Sequence, residues 1–132
     1  MTRFSFKWLA AFAALSLLSI VAFAQTQTTV PAAQLSLGIT PTTVSAGGTV
    51  TVFGSITNTT SKSEKVTVNY DVVGPCNFTD TYSVKVTLRG GETRTASTSY
   101  TLPTCAGDYT VTATAISGGS VLDVKSATVT VQ

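Results

Sequence analysis

The sequence predicts an all-β domain: a seven-stranded antiparallel sandwich with Greek-key connections, preceded by a signal peptide. Three observations carry that expectation. From Leu35 to Val131 apolar and polar residues alternate with period two in runs rich in threonine and valine, the pattern of half-buried strands. Turn signals punctuate those runs at Gly47-Gly48, Gly74-Pro75, Gly90-Gly91 and Gly118-Gly119. No ten-residue window after residue 24 carries the apolar stripe of a helix. Strand starts recur about every 12–16 residues, the rhythm of two packed sheets.

Residues 1–24 come first. Arg3 and Lys7 precede an apolar run from Trp8 that ends in Ala22-Phe23-Ala24, with polar "QTQTT" behind it. A short basic region, an apolar stretch and a small-any-small end describe a secretory signal. The expected cleavage follows Ala24, which leaves no segment for membrane insertion, and the expected location is secreted or periplasmic. Residues 25–34 are polar and unpatterned and are read as a flexible lead-in, with the domain at 35–132.

The strands follow in order. Leu35, Leu37 and Ile39 share one face of the first, over 35–39; Val50, Val52 and Ile56 do so in the second, 49–58. The third, 65–73, turns Val66, Val68, Tyr70 and Val72 inward, and the fourth, 81–88, turns Tyr82, Val84, Val86 and Leu88. A weaker fifth, 93–102, offers Ala96, Tyr100 and Leu102; the sixth, 108–116, offers Tyr109, Val111, Ala113 and Ala115. In the seventh, 121–131, Leu122 and Val124 fall on one parity and Ala127, Val129 and Val131 on the other. That slip predicts a β-bulge near Lys125-Ser126.

Charge narrows the partners. With residues 1–24 removed, the chain's eight basic residues fall to six, matching its six acids. A neutral domain lacks the electrostatic footprint of a nucleic-acid binder. The expected partner is therefore an unknown protein or polysaccharide at the cell envelope.

The run "AGGTVTVFGSITNTT" resembles the opening of bacterial immunoglobulin-like domains of the CARDB (cell adhesion related domain found in bacteria) type. There a glycine turn precedes a valine/threonine strand that ends in asparagine. "LRGGETRTASTSYTLPTCAGDYTVTATA" is similar to the later half of the same family, and the resemblance spans about residues 35–131. The family usually places glycine after that asparagine; here Thr59 and Thr60 follow Asn58. The resemblance implies an immunoglobulin-like fold and a role in adhesion or protein interaction.

The two cysteines fit that topology. In a seven-strand sandwich the connection holding Cys76 and the one holding Cys105 emerge at the same end, and an oxidising compartment lets them pair. A redox pair would sit as Cys-x-x-Cys at a helix start, and a zinc site would need four ligands. With no histidine in the chain, a structural disulfide is the expectation. Tyr109, just after Gly107-Asp108, stands where sandwich domains carry a corner tyrosine whose hydroxyl bonds back to the backbone.

Catalytic chemistry finds no footing. A serine triad lacks its histidine base, and the six carboxylates show no paired arrangement. No cofactor is expected and enzymatic activity is not, nor is a metal site, although Asp80 and Asp108 are the residues a weak calcium site would use. Two glycosylation sequons occur, at Asn58 and Asn77. Phe53, Val73, Ile116 and Val121 fall on the outward parity and could form an apolar docking patch. The expected function is an exported non-catalytic module for protein interaction, adhesion or envelope structure. The alternative is a small carbohydrate-binding module with Tyr70, Tyr82, Tyr100 or Phe78 as stacking platform.

Overall fold

The computed structural model describes residues 30–132. The expected signal peptide, its cleavage site and residues 25–29 of the lead-in lie outside the described residues. Eight strands form: β1 (Ala33–Thr40), β2 (Thr43–Val44), β3 (Thr49–Asn58), β4 (Glu64–Gly74), β5 (Phe78–Leu88), β6 (Thr93–Thr101), β7 (Gly107–Ser117) and β8 (Ser120–Val131). Among the described residues there is no helix. Two sheets pack as a sandwich, with orders β1-β3-β6 and β2-β8-β7-β4-β5. The chain crosses between sheets after β1, β2, β3, β5 and β6, which gives Greek-key connectivity.

Three expectations need correction. The first strand starts at Ala33, which is fully buried, so the end of the expected lead-in is already core. The eighth strand is β2, and its pairing with β8 (Thr43↔Thr130, Val44↔Val131) is parallel, where a purely antiparallel sandwich was expected. Pro41 has no N–H to continue the β1–β3 ladder, so the chain leaves that sheet after a cis Thr40–Pro41 bond and adds two residues to the other. Two residues carry no periodicity to read. The bulge is displaced as well: the β7–β8 register shifts between Ala115 and Ile116, leaving Leu122 unpaired, three residues before Lys125. Asp123 and Lys125 thus share the parity of Ala127, Val129 and Val131, a placement that apolar patterning hides.

The core has two halves. At one end Ala33, Leu35, Ile56, Val66, Val68, Leu88, Ala113 and Ala115 pack together. At the other, Ile39, Val50, Val72, Leu102, Tyr109, Val111, Val129 and Val131 do. Leu37 and Tyr70 pack against both and join them. With valine the commonest member and no tryptophan, the core relies on β-branched side chains, which suit a pleated surface.

Each end is closed by a polar device. At the first, Asn58 is fully buried at the end of β3. Its Nδ2 donates to the carbonyls of Lys62 (2.7 Å), Arg89 (3.0 Å) and Leu88 (3.1 Å). Its Oδ1 accepts from the backbone N–H (2.9 Å) and hydroxyl (2.7 Å) of Thr60. The β3–β4 and β5–β6 loops thus interlock around one amide. Gly90 is the residue that permits it, since a Cβ there would sit 2.5 Å from the backbone of Ser61. The sequon at Asn58 is consequently closed to modification in the folded domain, whereas Asn77 is exposed in the turn between β4 and β5.

The second end carries the staple. Cys76 and Asn77 adopt φ values of 60° and 57° between Pro75 and Phe78, the signature of a type I′ hairpin turn. Cys76 is bonded to Cys105 in the β6–β7 loop, with Cα atoms 6.4 Å apart. Tyr109 lies beneath them, fully buried. Its hydroxyl donates to the Cys105 carbonyl at 2.7 Å, and its ring meets Phe78 edge-on with centroids 5.8 Å apart. Gly74 gives that ring its space, because a Cβ there would fall 2.1 Å from it. The expected corner and disulfide are therefore one unit.

Candidate functional site

The sandwich is closed on one side and open on the other. On the closed side β1 runs beside β8, and the Leu35 N–H at the free edge of β1 donates to Asp123 Oδ2 at 2.8 Å. Lys125 Nζ pairs with the same carboxylate at 2.9 Å. Burial pushes the Asp123 pKa up, but the Leu35 N–H, the Lys125 ammonium and the Val124 N–H outweigh it and hold the carboxyl below its ordinary value.

On the open side β6 ends one sheet and β5 ends the other. Tyr82, Val84 and Val86 of β5 pair with the inward Tyr70, Val68 and Val66 of β4. Arg94, Ala96, Thr98 and Tyr100 of β6 pair with Ile56, Gly54, Val52 and Val50 of β3. All these positions have inward parity, yet Tyr82 is 65% exposed, and Arg94, Ala96 and Thr98 are exposed as well. The result is a cleft of about 760 Å³ whose floor includes Leu37, Val52, Ile56, Val68 and Val72. The small side chains of Ala96 and Thr98 line the cleft at mid-length.

Polar bonds tie the cleft at its ends. Tyr100 Oη donates to Asp80 Oδ2 at 2.7 Å, and Arg94 Nη2 donates to the Thr87 carbonyl at 3.2 Å and to Glu92 Oε2 at 2.9 Å. Asp80 to Thr87 is seven residues of strand, roughly 23 Å of open slot. The Tyr100 pKa is pushed far up by burial and then by the Asp80 carboxylate. That of Tyr70 rises through burial and the nearby Tyr82, whose ring centroid is 6.1 Å away. Tyr70 and Tyr100 therefore stay neutral phenols at physiological pH.

The four sheet edges differ in protection. Unpaired edges are usually blunted by shortness, inward charges or lysine. The β1 edge is capped by Asp123, β2 is two residues long, and β5 carries Asp80 and Lys85. Strand β6 has nine residues, all exposed but the half-buried Tyr100. Its outer face is Thr93, Thr95, Ser97, Ser99 and Thr101, without a charge. The Leu102 N–H donates to Gly48 O and the Asn58 N–H to Glu92 O, both at 2.9 Å. With the register Val50↔Tyr100, even-numbered residues of β6 bond β3, and odd-numbered ones turn N–H and C=O to the free edge.

The residues expected to form one docking patch are not brought together. Phe53 lies on the outer face of the three-stranded sheet, its ring over Gly38. Val73, Ile116 and Val121 belong to the five-stranded sheet. Only Ile116 and Val121 are paired neighbours, and Val73, opposite Thr110, lies six residues along from Ile116, roughly 20 Å. The parity reading placed all four on outward faces but could not say which sheet each face belonged to. Asp80 and Asp108 are likewise apart: Asp80 holds Tyr100, and Asp108 accepts from the Thr130 hydroxyl at 2.7 Å. Among the described residues no three His, Cys, Asp or Glu side chains gather where they could hold a metal ion.

In sequence the chain matches no family model and no curated protein. In structure it is similar to a CARDB domain from Pyrococcus furiosus, solved in complex with di-metal ions, with a TM-score of 0.58 at 20% identity. That match covers 79% of this chain and 97% of that domain. A Pseudomonas fluorescens alkylpurine DNA glycosylase, solved bound to DNA, gives a TM-score of 0.61 at 15% identity, over 77% of this chain and 31% of that one. A Bacteroides uniformis β-glucuronidase gives 0.57 at 16% identity, over 74% of this chain and 12% of the enzyme. The chain thus spans less than a third of either enzyme. It has the immunoglobulin-like fold of a CARDB domain over 79% of this chain and 97% of that domain.

Proposed function

We propose that this chain is an exported, non-catalytic immunoglobulin-like module that engages a protein partner along its open side. The observation that carries the reading is β6, a fully formed edge strand whose outward backbone groups pair with no other strand, the Ser99 carbonyl meeting just the neighbouring Thr98 hydroxyl at 3.5 Å, and whose outer face bears no charge. Such an edge is a ready template for β-augmentation, in which main-chain bonds supply affinity and neighbouring pockets read alternate side chains. The apolar cleft beside it supplies those pockets.

Export is supported by the leader-like residues 1–24 and by the disulfide, which persists in oxidising compartments. A non-catalytic role is supported by the likeness to a small CARDB domain over 97% of that domain and by the separate hydrogen-bonded roles of Asp80 and Asp108. The DNA and sugar chemistry of the larger enzymes is not carried over, since this chain covers a small part of each.

One observation favours a second reading. The Tyr82 ring stands in solvent next to Tyr70, which is the aromatic platform a carbohydrate module needs. The test is co-sedimentation of the oxidised domain with purified cell envelopes and with insoluble polysaccharides, using wild type and Tyr82→Ala. Retention on envelopes that protease treatment abolishes is the expected result. Retention on one polysaccharide, competed by its soluble oligomer and lost in Tyr82→Ala, would replace the protein reading with carbohydrate recognition.

A further inference from the structure

We infer that two copies of this chain associate edge to edge through β6, antiparallel, about a two-fold axis at Ser97. The inference rests on the protein-interaction reading and names the partner as a second copy. Three features of the strand carry it.

The first is hydrogen-bond parity. The free groups of β6 belong to odd-numbered residues, so an antiparallel partner must set odd residues opposite odd ones. Pairing Ser97 with Ser97 does so over the whole strand: Thr95 meets Ser99, and Thr93 meets Thr101. Shifting the axis either way shortens the overlap.

The second is charge complementarity. In that register each Arg94 lies opposite Tyr100 of the other copy, whose hydroxyl already holds the Asp80 carboxylate at 2.7 Å. A guanidinium beside a phenol ring and a carboxylate gains cation–π and ion-pair attraction. No like charges face each other across the paired strands.

The third is the outer face. Hydroxyl would meet hydroxyl along the new seam, as already happens between β3 and β6 at Thr49–Thr101 (3.2 Å) and Thr57–Thr93 (2.7 Å). The product is a continuous six-stranded sheet, β1-β3-β6-β6-β3-β1. It closes on itself, because an isologous contact uses each β6 once and the other edges are protected.

The experiment is sedimentation equilibrium of the exported, disulfide-intact chain, comparing wild type with Ser97→Lys and Ser97→Glu. Ser97 is exposed and its N–H does not serve β3, so both variants should unfold at the urea midpoint of wild type diluted to its monomer, whereas dimeric wild type should unfold later. The expected result is a wild-type dimer, with each variant alone at least tenfold weaker and an equimolar mixture of the two restored as a heterodimer. Wild type monomeric at about 1 mM, a dimer indifferent to either charge, or a mixture that stays monomeric would overturn the inference. A monomer that still binds envelopes, less so as Ser97→Lys, would overturn the self-association while leaving the protein-binding reading standing.

Discussion

Replacing Asn58 tests how the two loops at one end of the sandwich are held. In Asn58→Ala the carbonyls of Lys62, Leu88 and Arg89 lose their donor and the Thr60 N–H loses its acceptor. Each bond contributes about 1 kcal/mol net, and a buried polar group left unpaired costs about 1–3 kcal/mol. The Leu88 carbonyl is the one that water reaches least. Allowing the outer groups to rehydrate, the loss is about 3 kcal/mol, a large share of a stability near 5–15 kcal/mol. In urea, with a slope near 1.5 kcal/mol/M, the midpoint should fall by about 2 M.

Asn58→Asp sharpens the test because it keeps the shape and the Oδ1 acceptor but turns the donor into an acceptor. At pH 7 a carboxylate would face three carbonyls, so this variant should be no more stable than Asn58→Ala. Its folded pKa would lie above the unfolded value of about 3.9. The folded state then binds more protons, so stability should return as pH falls through that raised value. An Asp variant within 1 kcal/mol of wild type at pH 7 (roughly the worth of one hydrogen bond), or one whose deficit ignores pH, would refute the donor role.

The other expectations concern the opposite end and the closed side. Tyr109→Phe should lower stability by about 1–2 kcal/mol by removing the bond to Cys105 while leaving the ring packed; an unchanged midpoint would remove the corner. Replacing Cys76 and Cys105 by alanine opens a loop closed across a sequence separation of 29 and should lower stability by roughly 3.5 kcal/mol in the chain-entropy account. Native protein should resist alkylation and weigh two hydrogens less than its dithiol form. The lowered pKa of Asp123 contributes stability that is present above about pH 4 and lost as pH falls through its folded value. Asp123→Asn should therefore be about 1 kcal/mol less stable at pH 6, a deficit that shrinks as the pH falls through the lowered folded value, as midpoints followed down the acid range would show.

How much of this was legible depended on whether a signal was local. The alternation of Val66, Val68, Tyr70 and Val72 is a property of one strand, and so is the run of Tyr109, Val111, Ala113 and Ala115; both faces are buried as read, except the half-buried Tyr70. The cysteine pairing was legible because strand count alone sets which loops share an end. Tyr82, Tyr100, Arg94 and Asp80 were not legible as a site. Period-two patterning assigns a residue to a face, but it does not say whether another sheet covers that face.

The sequence by itself determined that this chain makes an all-β sandwich, where seven of its eight strands lie, and that Cys76, Cys105 and Tyr109 secure one end. Those are consequences of side-chain period and loop order, which any packing of the two sheets must respect. Only the tertiary structure decided which edges are free, that Asp123 caps β1, that Asn58 is a hub rather than a glycosylation site, and that inward residues of β5 and β6 face a cleft. The reason is geometric: the lateral offset of two sheets is set by packing between residues far apart in the chain, and that offset determines which inward faces stay open to solvent.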